Sequence, residues 1–220
     1  MNKIAKLEDT SISKVDEAYA LIEEQIITMV LMPGQLLSEN VLAKKFNLGR
    51  TPVREALQRL AQQHLVEIMP RRGVRVSAID VKTQIRLIEV RNVLEQLQAK
   101  LAAQRANEQQ KNRFLDLASA MEKSAQKNDY LGFVRLDSEY NVLMAEACDN
   151  PFVAPMLGQL HGLSRRFWHC HFQKKNDLHE AARLHAQVAR AIAQGDELLA
   201  EKVSSEHMTY IYNFTRATLD

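Results

Sequence analysis

From Val15 onward apolar side chains recur at intervals of three and four: Val15, Ala18, Leu21, Ile22, Ile26 and Met29. On a helix these positions share one face, so the spacing predicts an amphipathic helix reaching Met32. Pro33-Gly34 breaks the pattern. Ser38 then offers a capping oxygen to a second helix, with Glu39 in its positive first turn. That helix carries Val41, Leu42, Ala43 and Phe46 inward. Asn47-Leu48-Gly49 makes a turn in which Asn47 or Gly49 takes the left-handed conformation. Thr51-Pro52 reads as an N-cap followed by Pro at the first helical position. Val53, Ala56, Leu57 and Leu60 form the apolar stripe of the third helix. Arg50, Arg54 and Gln58, spaced i, i+4, i+8, lie on a different face. After His64, the runs Leu65–Ile68 and Val74–Val76 flank Pro70-Arg71-Arg72-Gly73, which predicts a hairpin with a basic tip.

Past Ser77 the period is helical. Ala78-Ile79-Asp80 is a linker with Asp80 as N-cap, and residues 81–105 carry Ile85, Ile88, Leu94, Leu97 and Leu101 inward. Further helices are expected over 108–127 and 130–147, and from Asn150-Pro151 to about Phe172. One more is opened by Asp177 and ended by Gly195, and a last is capped by Asp196 and runs to about Ala217. Six helices without a strand signal predict an all-α bundle. The expected fold is mainly α: a winged helix-turn-helix over residues 1–77 and an all-α bundle over 78–220. The polar first 13 residues are expected to fray.

Charge distribution sharpens this picture. The whole chain carries only +2. Between Leu42 and Arg75, however, Lys44, Lys45, Arg50, Arg54, Arg59, Arg71, Arg72 and Arg75 face only Glu55 and Glu67. A basic patch confined to one segment is the electrostatic footprint of a nucleic-acid-binding module. The third helix buries one face and presents guanidiniums on another, as a helix lying in a major groove must. The hairpin tip holds Arg71 and Arg72 within reach of the DNA backbone. Cys148 and Cys170 show no CxxC spacing and suit reduced thiols. The N-terminus lacks an apolar core for a secretory signal, and no run approaches a membrane span. A cytoplasmic protein is expected.

The segment PGQLLSENVLAKKFNLGRTPVREALQRLAQQHLVEIMPRRGVRV resembles the N-terminal domain of the GntR family of bacterial transcription regulators. The resemblance covers about residues 13–77. It departs at Asn40, where the family often has Arg, and at Gly49, where Ser or Thr usually begins the recognition helix. It implies that Arg50 reads a base edge, guanine by a bidentate pair, and that Thr51 and the helix N-terminus sit near a phosphate. Arg54 would contact phosphate or base, and Arg71 and Arg72 would lie along the backbone. The second half resembles the FCD ligand-binding domain of the FadR-like subfamily. The marks are Glu89-Val90-Arg91 with Glu95, Asp137-Ser138-Glu139-Tyr140-Asn141, Asn150-Pro151, His185 with Ala191-Ile192 and Gly195-Asp196, and His207.

Asp137 and Asn141 share one helix face, and His185 and His207 lie on two other helices. A bundle can converge these four on one interior point. In many members of the family the set is Asp and three His around a divalent metal, beside a small carboxylate effector. Here Asn141 replaces the first His, and Zn, Ni, Mn, Fe or Co would suit what remains. The same four residues also suit a hydrogen-bonded polar interior. Arg91, among apolar positions, needs an anion. The resemblance implies an effector carboxylate, with Arg165, and more weakly Arg166, as further candidates; a salt bridge to Glu95 or Asp137 is the other reading. His169-Cys170-His171 looks like a metal tract, but i and i+2 point apart on a helix, so it is expected to face mostly solvent. The implied function is a homodimeric repressor of a near-palindromic DNA operator, modulated by a small organic acid. An effector-blind dimerising bundle and a metal-dependent hydrolase are the alternatives. Against the hydrolase stands the lack of a partnered general base.

Overall fold

The computed structural model describes residues 13–175 and 177–219; the stretch expected to fray lies almost wholly outside them. The chain divides into two compact units at Ser77–Ala78.

The first unit contains helices α1 (Lys14–Ile27), α2 (Glu39–Phe46) and α3 (Arg50–Gln62) and strands β1 (Leu36–Leu37), β2 (Val66–Met69) and β3 (Gly73–Val76). Ser13 caps α1 by accepting from the Asp16 amide. The helix ends five residues before the predicted Met32. Thr28 turns its hydroxyl back to the Glu24 carbonyl, and Met29 adopts a positive φ of 62°. Side-chain spacing extends past the true end because Leu31 is still buried, although the chain there has left the helix. Asn47, rather than Gly49, takes the left-handed turn, with φ 56° and ψ 42°. Gly49 is the cap residue of α3 and Arg50 its first helical residue. Pro52 thus falls at the third helical position, where its missing N–H still costs no intrahelical bond. Ser38 stands at the cap of α2 but makes no side-chain cap bond. Val41, expected inward, is 62% exposed.

The hairpin pairs β2 with β3, with Val66 opposite Val76 and Met69 opposite Gly73. The short β1, which the apolar pattern did not reveal, adds on the other side of β3 to give the order β1-β3-β2. Gly34 (φ 82°) makes the turn into β1 and donates to the Val76 carbonyl. Ile22, Ile26, Val53, Leu57, Leu60, Leu65 and Val76 are buried in this unit.

The second unit is a bundle of α4 (Val81–Arg105), α5 (Glu108–Gln126), α6 (Tyr130–Cys148), α7 (Val153–Lys175), α8 (Leu178–Gln194) and α9 (Glu197–Arg216). Caps fix the joints. Asp80 accepts from the Thr83 amide and Asp196 from the Leu199 amide. Asn107 and Gln110 form a reciprocal capping box. Asn150 accepts from the Phe152 and Val153 amides, which places the start of α7 two residues past Pro151. Gly195 (φ 71°) closes α8 in the left-handed conformation.

The helix α4 packs against α9, α6, α7 and α8, while α5 packs on α8 and α6. Ala99, Phe114, Leu117, Met121, Leu157, Ala182 and Ile192 are central to one continuous apolar core. Each such large side chain contributes about 1.5–3 kcal/mol by leaving water. Of the inward face predicted for α4, Ile88 is buried and Leu94 and Leu101 pack against the core, but Leu97 is exposed. Leu87 and Ile88 are buried, but so are Gln84, Arg91, Glu95 and Gln98, while Val93 (66%) and Leu97 (41%) are exposed. Polar groups inside and apolar ones outside invert the usual pattern on this part of the helix.

Candidate functional site

Two sites follow from this fold. On the first unit, Arg50, Thr51, Arg54 and Gln58 are exposed along α3, opposite the buried Val53, Ala56, Leu57 and Leu60. Arg54 is not loose: its Nε and Nη2 donate to the Glu39 carboxylate at 3.0–3.2 Å. The guanidinium beside Glu39 holds that carboxyl below its usual range. Glu39, the first residue of α2, thereby sets the direction of Arg54 across the turn. Arg59 points elsewhere, bonding Asp16 at 2.6 Å and lying over the Tyr19 ring at 4.6 Å. It ties α3 to α1. At the hairpin tip Arg71 and Arg72 are exposed, with Arg71 at φ 62° and Gly73 at φ 96°. Arg75 is paired with Glu67 across the hairpin at 2.6 Å. Of the arginines on α3 and the hairpin, Arg50, Arg71 and Arg72 are those that the ion pairs just described do not engage.

In the second unit α4, α6, α7, α8 and α9 enclose a cavity with about 660 Å³ of space, part of it open to solvent. Its wall contains Arg91, Asp137, Asn141, Arg165, His185 and His207, so the structure brings the residues singled out by sequence to one place. Their bonding is largely internal. The Arg91 Nε donates to Glu95 Oε1 at 2.8 Å, its Nη2 reaches the same oxygen, and its Nη1 donates to Ser164 Oγ at 2.6 Å. Gln84 also donates to Ser164 Oγ. His161 Nε2 lies 3.1 Å from Glu95 Oε1. Burial pushes the Glu95 carboxyl up, but Arg91 and His161 outweigh it and hold the group below the ordinary range. Of the two readings of Arg91, the structure contains the Glu95 pair. Arg166 does not line the cavity; it donates to the Ala78 carbonyl at 3.0 Å.

Asp137 Oδ1 faces His185 Nε2 at 3.1 Å, and His185 Nδ1 is 2.8 Å from the Ala181 carbonyl. With Nδ1 donating to that carbonyl, a proton on Nε2 completes the pair. Burial works against the His185 cation, but Asp137 outweighs it and raises the group. His207 stands edge-on to His185, ring centres 4.2 Å apart. Burial and the neighbouring His185 lower it well below the usual imidazole range, so it is neutral. Asn141 turns its amide nitrogen to Asp137, donating to the backbone carbonyl at 2.8 Å and to Oδ1 at 3.3 Å. A ligating Asn would present its carbonyl oxygen instead. Among the described residues no group of three or more His, Cys, Asp or Glu side chains could hold a metal ion. As arranged, the four residues fit a hydrogen-bonded acid–amide–imidazole network and not a divalent ion.

Of the α7 residues that line the cavity, the sequence reading named only Arg165 as a site residue. His161, Ser164, Arg165 and Trp168 follow one another at i, i+3, i+4 and i+7 and all line the cavity. That spacing was the available signal. His169 is half-buried rather than mostly solvent-facing, with its Nδ1 against the Tyr130 hydroxyl. His171 lies 4.5 Å from the Phe167 ring.

A basic reading helix with a wing, followed by a helical bundle around a polar cavity, defines a two-module regulator. The profile "Bacterial regulatory proteins, gntR family" matches residues 14–76, and the FCD domain profile matches residues 86–210. The chain belongs to the GntR family and carries an FCD domain; it is a DNA-binding transcription regulator and not an enzyme. It is similar to the HTH-type transcriptional repressor RspR of Escherichia coli K12, 24% identical over 200 residues, 91% of this chain and 88% of that one. The HTH-type transcriptional regulator LutR of Bacillus subtilis is 27% identical over 204 residues, 82% of this chain and 91% of that one. The solved structure of E. coli McbR/YncC shares the fold, with a TM-score of 0.82 at 19% identity, covering 96% of this chain and all of that one. Among the described residues no helix is long and apolar enough to cross a membrane.

Proposed function

We propose that the chain is a homodimeric repressor of a near-palindromic operator, whose DNA affinity is set by a small organic acid in the bundle cavity. The observation that carries this reading is the pairing of an exposed basic face on α3 and the wing with a cavity lined by ionic groups in a separate unit. Arg50, Thr51 and Arg54 would lie in or beside the major groove, with Arg50 on a base edge. Arg71 and Arg72 would follow the backbone. Repression takes support from the relative RspR, itself described as a repressor. Arg91 and Arg165 would meet the effector carboxylate: Arg91 has five N–H donors, and Glu95 and Ser164 occupy three of them. The link between effector and operator is a coupling of about 1–3 kcal/mol if it has the usual size.

The divalent ion implied by the family resemblance has no part in this mechanism, because Asn141 and the Asp137–His185 pair are engaged with one another. Dimerisation is supported by α4. Val90, Val93 and Leu97 recur at i, i+3 and i+7 and are exposed together, a face suited to a second copy of the same helix.

DNase footprinting on the chain's own upstream region tests the DNA half. Arg50→Ala is expected to lower specific affinity by about 1–3 kcal/mol, roughly five- to 150-fold. Full protection by Arg50→Ala at wild-type concentrations would remove α3 as the reading element.

A further inference from the structure

We infer that the effector is a monocarboxylic acid with an aromatic body, an assignment that rests on the effector reading above. The cavity's own charges are already matched. Arg91 is bonded to Glu95, and Asp137 to His185, so two carboxylates stand in or just behind the wall with no metal ligand set to neutralise them. A second carboxylate on a ligand would bring a negative charge that these matched pairs do not offset. One carboxylate can be met by the remaining Arg91 donors and by Arg165 on the same wall.

Much of the rest of the wall is aromatic. Phe133, Trp168, Tyr210 and Phe214 line the space. Trp168 is itself fixed by stacking on Tyr130, ring centres 5.5 Å apart at 24°, and by Phe133 at 5.7 Å. Rings held at such angles receive another ring face-to-edge or offset, which an aliphatic polyol does not exploit. A separate observation also points to a ligand. Thr215 lines the cavity, is fully buried, and its hydroxyl has no hydrogen-bond partner. A buried hydroxyl without a partner costs free energy that a ligand oxygen would recover.

Trp168 is the one tryptophan of the chain, so its emission reports this cavity alone. Full-length protein would be titrated with phenylacetate and indole-3-acetate, and in parallel with succinate, citrate and gluconate, by calorimetry and fluorescence. The aromatic monoacids are expected to shift Trp168 emission saturably and to bind at least about tenfold more tightly than the dicarboxylate, tricarboxylate and sugar acid, the worth of one well-placed contact. Tighter binding of succinate, citrate or gluconate would overturn the inference and leave the organic-acid reading standing. No binding by any of the five would overturn both. Thr215→Val keeps the side-chain shape and is expected to weaken the aromatic acids about tenfold, while the thermal midpoint of the unliganded protein stays the same or rises. Unchanged affinity in that variant would remove Thr215 from the site.

Discussion

At the scale of single residues, Asn141 decides more than its size suggests. A histidine there would place an imidazole beside Asp137 and His185. The asparagine donates its amide protons to Asp137 instead, and the Asp137 carboxylate completes its bonding with His185. Elemental analysis of untagged protein beside His185→Ala should therefore find no stoichiometric transition metal in either. About one ion per chain in the wild type, lost in the variant, would restore a metal centre and mean that Asn141 turns its carbonyl inward. The cavity residues were legible from sequence as types and as helix positions, because i, i+4 spacing and helix identity are local facts. What they bond was not. Glu95 and Asp137 were equal candidates to neutralise Arg91 until the packing of α4 against α7 brought Ser164 and His161 to the Arg91–Glu95 pair. That choice depends on long-range contacts, and no spacing rule contains it.

At the scale of elements, α4 shows both the strength and the limit of periodicity. Its length was read correctly from the Asp80 cap and the helical spacing. Its inward face was read in the main, since Ile88 is buried and Leu94 and Leu101 pack against the core, but Leu97 is exposed, and apolar residues lie almost all round the helix. The pattern could not say which stripe the bundle would take. The short β1 was missed for a related reason: two leucines carry no alternation, and the strand exists only because β3 lies beside it. An apolar stripe that its own bundle leaves exposed serves best against another copy of itself. Val93→Glu places carboxylates near one another across such a pairing, where like charges cost several kcal/mol. In sedimentation analysis the wild type is expected as a dimer and Val93→Glu as a monomer with unchanged helical content. A variant that stays dimeric would mean the contact lies on another face.

At the scale of the molecule the two units differ in what their interiors contain, and this sets how each responds to acid. Among the described residues every buried polar or charged side chain belongs to the second unit, from Gln84 to Thr215; the winged unit has an apolar core. Glu95 is buried, yet Arg91 and His161 keep its carboxyl below the ordinary range. A carboxyl depressed in the folded state contributes stability that is present above its unfolded value of about 4 and is lost as pH falls through the folded value. His185 runs the other way: raised in the folded state, it contributes below about 6.5 and ceases to contribute as pH rises through its folded value. Acidification from neutrality to below about 4 should therefore weaken the bundle, first through His207, which is held neutral inside and takes up a proton on unfolding, and then through Glu95, with little change in the winged unit. Urea unfolding followed by Trp168 emission should shift to lower midpoint across that range, while hydrogen exchange in α1 and α3 changes much less. Glu95→Gln removes the titrating group. It should be less stable at neutral pH by about 3–5 kcal/mol, the usual cost of leaving a buried charge such as Arg91 unpaired, and its midpoint should depend less steeply on acid. Equal acid dependence of the two units would mean that Glu95 gains as much from its partners in the unfolded chain as in the bundle, and the stabilising role given to the Arg91–Glu95–His161 cluster would fall.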